Sequence, residues 1–277
     1  MPASESGPQK VQKKNIYTVP HSKQKILYEM IVCVVDIETT GLNEKQDLIT
    51  AIGVIIYESD KREKQFEHCY NVCLARANGL QSETELKNTI RNHLESCDKI
   101  LAYNGVGFDN KFLAVWVDGE SFVQTLQTWN GKTIDFFLEA EKLLNSKIGM
   151  QKVCDDNGLS ISKIATGKQA VIWASEEKWD LLLEYCLADV QVLLRIFEVA
   201  LQDGIKMIAH TSKTRKTPNS INLRLDSELN VVCDTRKAIT QYEFLNRTQI
   251  EDVFLQRGAQ KFYATGAESV NLSDIFQ

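Results

Sequence analysis

Ile31-Val32-Cys33-Val34-Val35-Asp36-Ile37-Glu38-Thr39-Thr40-Gly41-Leu42 is the stretch that decides the fold. Its first five residues are apolar without a break and mostly β-branched. That composition predicts a strand buried on both faces. The run stops at Asp36, and Glu38 follows two positions on. A period of two places both side chains on one face of an extended chain. Two neighbouring carboxylates repel each other unless a cation joins them. Mg²⁺ and Mn²⁺ take oxygen ligands of this kind. Alone, an Asp-x-Glu pattern is more often a solvated strand end, because short motifs have a high false-positive rate.

Outward from this strand, Leu48–Tyr57 (LITAIGVIIY) reads as a second buried strand and Phe66–Leu74 as a third. The polar ESDKREKQ between them suits a hairpin turn. A helix is expected after Ser82, with Ser82 and Glu85 as a capping box and Leu86, Ile90 and Leu94 at helical spacing. Lys99–Tyr103 reads as a fourth strand, ending in Asn104-Gly105, and Asn110–Val117 as a short helix. Thr133–Asn157 has a helical pattern interrupted at Ser146–Gly149, while Lys163–Ala174 has mixed polarity and reads as a loop. The clearest helix spans Glu176–Ala200, where Leu182, Cys186, Val190, Leu193 and Phe197 recur at three- and four-residue spacing. The expectation is an α/β fold with a mixed central sheet flanked by helices. Residues 1–25 form a disordered polar tail on this reading, 26–203 the ordered domain, and 204–277 an extension whose structure the pattern does not determine.

Composition narrows the function classes. With 277 residues, 43% hydrophobic and 25% charged, the chain has an ordinary globular balance. Fourteen glycines and four prolines exclude collagen-like and proline-rich architectures. No apolar run is long enough for a membrane span, and the lysine-rich first 25 residues lack the apolar core of a secretory signal. An intracellular protein, cytoplasmic or nuclear, is expected. The seven cysteines form no CxxC pair and read as reduced thiols, mostly in the core. A net charge of −5 argues against a surface that traps polyanions wholesale, but leaves room for a metal-dependent enzyme on nucleic acid.

Two further acids stand in suggestive positions. Asp109, in AYNGVGFDNKFL, follows the fourth strand; it fits a site carboxylate or the N-cap of the helix beginning near Asn110. In YCLAD, Tyr185 and Asp189 are four residues apart and share a helix face. That face borders the apolar stripe, so Asp189 needs a partner there.

In this order, DIETTGL, NGVGFDNKFL and YCLAD resemble the three motifs of the DEDD superfamily of 3′–5′ exonucleases. The third is of the tyrosine-bearing form, because the position that carries histidine in the other branch is Glu184. The last two, with IGM ahead of the third, look most like the proofreading exonuclease domain of family B DNA polymerases and stand-alone relatives. The resemblance spans about Ile31 to Ala200. It implies an RNase H-like fold and two divalent ions, Mg²⁺ or Mn²⁺. Asp36 would bridge the ions, Glu38 and Asp189 would complete the nucleophile-side ion, and Asp109 would hold the second. Tyr185 would orient the attacking water. Thr39, Thr40, Leu42, Asn104, Phe108 and Lys168 are the implied contacts to the single-stranded 3′ end. Gln169 and Trp173 are weaker candidates, and Trp173 is expected to pack inward. Lys213, Arg215 and Lys216 read as a solvated charge run that reaches phosphate at most peripherally.

The 77 residues after Ala200 hold no polymerase domain. A stand-alone nuclease, or one beside a replication or repair partner, is therefore expected, with DNA favoured over RNA. The alternatives are an RNA-trimming enzyme and a catalytically silent module that binds nucleic acid or serves as a scaffold. A degenerate module loses carboxylates, and none is lost here. Metal-free nucleotide binding is weaker still, since GVGFDN has GxG but neither GxGxxG nor a Walker lysine.

Overall fold

The computed structural model describes residues 29–209 and 220–233. The N-terminal tail, Lys213, Arg215, Lys216 and everything after Cys233 lie outside the described residues. Strand β1 (Ile31–Thr39) is the middle of a five-stranded sheet of order β3-β2-β1-β4-β5. Strands β2 (Ile49–Glu58) and β3 (Glu63–Asn71) run antiparallel to their neighbours, whereas β4 (Lys99–Ala102) and β5 (Thr133–Asp135) are parallel, so the sheet is mixed. Helices cover both faces, and the α/β expectation holds.

The unbroken apolar run of β1 has the predicted consequence. Cys33, Val35 and Ile37 pack on one face with α2 (Leu80–Ser96), α3 (Asp109–Asp118) and α4 (Phe122–Gly131). Val32 and Val34 pack on the other with α5 (Phe136–Leu144), α6 (Met150–Asp156) and the long α8 (Trp179–Gln202). By the alternation of a strand, Asp36 and Glu38 continue the second face toward α8.

Helix α8 can lie against the sheet because Gly53 has no side chain. Gly53 pairs with Asp36 on one side and Cys69 on the other. A Cβ there would collide with Val190 Cγ2 and stand 3.2 Å from Cys186 Sγ. The close approach brings the YCLAD turn of α8 over β1.

Several boundaries differ from expectation, each for a local reason. The third strand stops at Asn71, whose side chain accepts the Leu74 N–H at 2.9 Å and caps the short α1 (Val72–Ala77). Helix α2 starts at Leu80 rather than after Ser82, because Gly79 turns the chain at φ 111° and no Ser82–Glu85 box forms. Thr133–Asp135 pairs with β4 as a strand, and the helices on either side of Ser146–Gly149 are separate. The segment after Lys163, expected as a loop, contains α7 (Gly167–Ser175), capped by Thr166. Val171 and Ile172 of α7 are exposed, so the helix shows no apolar stripe in sequence. Glu177, at φ 54°, separates α7 from α8, which starts at Trp179 rather than Glu176.

The apolar core continues past Asp203. A second sheet, of β6 (Ile205–Ile208), β7 (Ser220–Leu225) and β8 (Val231–Cys233), contributes Ile205, Met207, Leu223 and Leu225 to the cluster beneath α8, and Leu229 joins them from the β7–β8 turn. Among the described residues no helix is long and apolar enough to cross a membrane. All seven cysteines are free thiols, four of them buried.

Candidate active site

The end of β1, the β4–α3 loop, the segment before α7 and one turn of α8 enclose an open cleft of about 440 Å³. Asp36, Glu38, Asp109, Tyr185 and Asp189 all line it. Glu38, Asp109 and Asp189 are buried, as is Tyr185, and Asp36 is half-buried. Ligand atoms of Asp36, Glu38 and the Cys186 thiol lie within 4.8 Å of one another. Glu184, at the position of the other branch's histidine, faces solvent.

Asp109 is not an N-cap. Phe108 holds that position, and Asp109 is the first residue of α3. Its Oδ1 accepts the N–H of Ile37 at 3.2 Å. That N–H is free because β4 pairs only with Val32, Cys33 and Val34, leaving the end of β1 open on that side. The bond ties two motifs that are 72 residues apart.

The loop that delivers Asp109 is held from beneath by Asp135. Its carboxylate accepts from Asn104 N at 3.0 Å, Val106 N at 3.2 Å and Leu138 N at 3.1 Å. With these N–H groups engaged, the GVG turn is no phosphate cradle. Gly105 is needed for close approach, since a Cβ there would collide with the Cβ of Ala102. Sequence reasoning missed Asp135, although an aspartate before the apolar run of α5 is a recognisable N-cap signal. Asp135→Ala removes one cap and two loop anchors. It is expected to lower the unfolding free energy by about 2–4 kcal/mol in urea melts. Asp135→Asn, which keeps an acceptor, should lose much less.

Lys163 was also missed. It lies in a polar segment without periodicity, and only the fold brings it to the cleft. Its ammonium pairs with Asp189 Oδ2 and stands 5.3 Å from the Tyr185 ring centroid. Of the implied substrate contacts, Thr39, Leu42, Asn104, Phe108 and Lys168 line the cleft. Leu42 stands 84% exposed at its rim, a position no packing argument explains. The Thr39 hydroxyl donates to the Gly41 carbonyl at 2.5 Å and so braces that rim. Thr40 is not among the lining residues; its N–H and hydroxyl are both used in bonds to Leu48. Trp173 packs inward against Tyr185, as expected, with ring centroids 6.1 Å apart, and Gln169 stays off the cleft wall.

Crowding of acids shapes the electrostatics. Burial pushes Asp36 well above the ordinary carboxylate range, and Asp109, Asp189 and Glu38 push it further. Glu38 is pushed up from 4.5 to about 8, by burial first and then by Asp189. Asp109 is pushed up from 3.8 to about 7, by burial against hydrogen bonds from its own N–H and that of Ile37. Burial raises Asp189 too, although Lys163 opposes it. Burial, then the neighbouring Asp189, drives the Tyr185 phenol far above its usual value, so it stays protonated.

These residues fit a divalent metal centre. The donor set is chiefly carboxylate oxygen, the chemistry of hard cations. Asp189 Oδ1 is buried without a hydrogen-bond partner, an acceptor that a cation would satisfy. A pH dependence follows from the raised carboxyls. From about pH 4 up to about 7 for Asp109 and about 8 for Glu38, the folded protein without metal holds protons that the unfolded chain has released. The stability these protons contribute is complete below about pH 4 and is lost as the pH rises toward 8. Each held proton accounts for about 1.4 kcal/mol per pH unit climbed within that window. Melting temperature in chelator is expected to fall across it, and Mn²⁺ should restore most at its alkaline end.

Among curated proteins none matches the chain. Solved structures similar to it include E. coli exonuclease I in complex with a dT13 oligonucleotide, at 13% identity and TM-score 0.36, covering 71% of this chain and 52% of that one. Exonuclease I in its apo form matches at 13% identity and TM-score 0.35, over 57% and 44% of the two chains. The zinc-bound E. coli exonuclease I–ssDNA complex matches at 12% identity and TM-score 0.37, over 71% and 52%. The chain spans about half the length of these structures. The RNase H superfamily model matches residues 33–201, from β1 nearly to the end of α8. With the mixed sheet and its flanking helices, that match over more than half of its length establishes that the chain belongs to the RNase H superfamily.

Proposed function

We propose that this chain is a metal-dependent 3′–5′ exonuclease of the tyrosine-bearing DEDD branch. It acts on single-stranded or frayed ends, with DNA favoured over RNA. The observation that carries this reading is the convergence of Asp36, Glu38, Asp109, Asp189 and Tyr185, from three separate motifs, on one open cleft.

On this reading Asp36 would be common to both Mg²⁺ or Mn²⁺ ions, Glu38 and Asp189 would help hold one, and Asp109 would help hold the other. When bound, the ions lower the pKa of the attacking water and stabilise the departing 3′ oxygen. Tyr185 orients that water through its hydroxyl; a phenol held protonated does not serve as the base. Leu42 wedges against the terminal base from the rim. Asn104 and Phe108 border the next nucleotide, and Lys168, exposed at the start of α7, pairs with phosphate. Thr39 supports this wall through the Gly41 carbonyl. The partners are single-stranded 3′ ends and, in the cell, a replication or repair protein.

The test is cleavage of 5′-labelled single-stranded DNA and RNA of one sequence, with Mg²⁺, with Mn²⁺ and with chelator. A metal-dependent ladder shortening from the 3′ end, faster on DNA, is the expected result. A faster RNA ladder would transfer the assignment to RNA trimming. Binding without cleavage would make the chain a silent module.

A further inference from the structure

Lys163 is a cation that the fold brings to the buried carboxylates of the cleft. Its ammonium pairs with Asp189 Oδ2, and its side chain is 27% exposed beside a carboxylate that is 2% exposed. Asp36 and Glu38 line the same cleft. The backbone beneath it is anchored: Lys163 N–H donates to Gln151 Oε1 at 2.8 Å, and Gln151 Nε2 donates to Asp155 Oδ1 at 2.8 Å. The segment between α6 and α7 is thereby tied to α6, and the movable part is the four-carbon stem with its charge.

We infer that Lys163 is a positioning residue that competes with divalent metal for Asp189, and so sets the metal concentration at which the site loads. This rests on the metal-dependent reading above. Asp189 has one oxygen on the lysine and the other, Oδ1, without a hydrogen-bond partner. A dication drawn to this carboxylate meets a like charge already at ion-pair distance. Whether the ammonium swings off or stays on Oδ2, metal affinity is lowered by the cost of that displacement or of the repulsion across the carboxylate. Binding of the two cations to one carboxylate is linked, so removal of one strengthens the other. Lys163 neutralises part of the acidic cluster.

The experiment is calorimetric titration of Mn²⁺ into the full chain near pH 8.5, where protons compete least, with no nucleic acid present. Lys163→Met is expected to lower the Mn²⁺ dissociation constant by about tenfold, within the usual range of coupling between two binding events. Lys163→Gln carries the same expectation should the Met variant fail to fold. Lys163→Arg keeps the charge and can hold the carboxylate bidentately, so it should bind Mn²⁺ no tighter than wild type. Asp189→Asn should lose the site and serves as the reference. Neutral variants that bind no tighter than wild type, or an arginine variant that binds tighter, would overturn the role of Lys163 while leaving the nuclease reading intact. No Mn²⁺ binding by the wild type at all would overturn both.

Discussion

Asp36→Ala is expected to lower kcat/KM for 3′-end cleavage by at least about 10³-fold, equivalent to roughly 4 kcal/mol of transition-state stabilisation. Its melting temperature in chelator should be unchanged or higher. Both halves follow from its position. Asp36 stands on the α8 face of the central strand, beyond Val32 and Val34, and carries no core packing of its own. It crowds against Asp109, Asp189 and Glu38, and its removal relieves that repulsion. On the proposed reading it would also be the ligand common to both ions, so its loss would disable the site. Single-turnover cleavage of 5′-labelled DNA alongside thermal melts separates the two effects. Retained activity would remove the carboxylate cluster from the chemistry.

Asp189→Ala should match that loss, and Tyr185→Phe should fall short of it. On the proposed reading the Tyr185 hydroxyl would contribute one hydrogen bond to the water. Its removal is expected to cost about 10- to 100-fold, the equivalent of one bond of about 1.5–3 kcal/mol in a charged setting. Asp189→Ala would take away a proposed ligand and also strand the Lys163 ammonium beside Tyr185 without its partner. The comparison belongs at saturating Mn²⁺, so that metal occupancy does not mask the chemical step. Equal losses in the two variants would mean that the phenol does more than orient water.

Asp36, Glu38, Tyr185 and Asp189 were legible because they sit on strongly patterned elements. Asp36 and Glu38 end an unbroken strand, and Tyr185 and Asp189 ride the helix with the clearest apolar stripe. Elements with weak patterns are not legible in the same way. Helix α7 exposes Val171 and Ile172, so nothing in its composition marks a buried face. The strand β5 is three residues long, too short for alternation to register. Asp109 illustrates the limit at a single residue. Its two readings, cap or site, differ only in whether the carboxylate turns back to its own helix or across to Ile37.

By itself the sequence determined the central strand, the long helix, the α/β class and the membership of three acidic motifs. Those properties depend on periodicity, and periodicity is local. Tertiary structure alone decided what spans large separations. The missing side chain at Gly53 lets Cys186 and Val190 approach the sheet, and Cys186 reaches the Asp36 carbonyl across 150 positions at 3.7 Å. It also decided that Asp135 would hold the Asp109 loop, that Lys163 would meet Asp189, and that the core would run on into the second sheet. Each of these contacts depends on where two distant backbones are placed relative to each other. That placement is set by packing of the whole chain, and no window of neighbouring residues carries it.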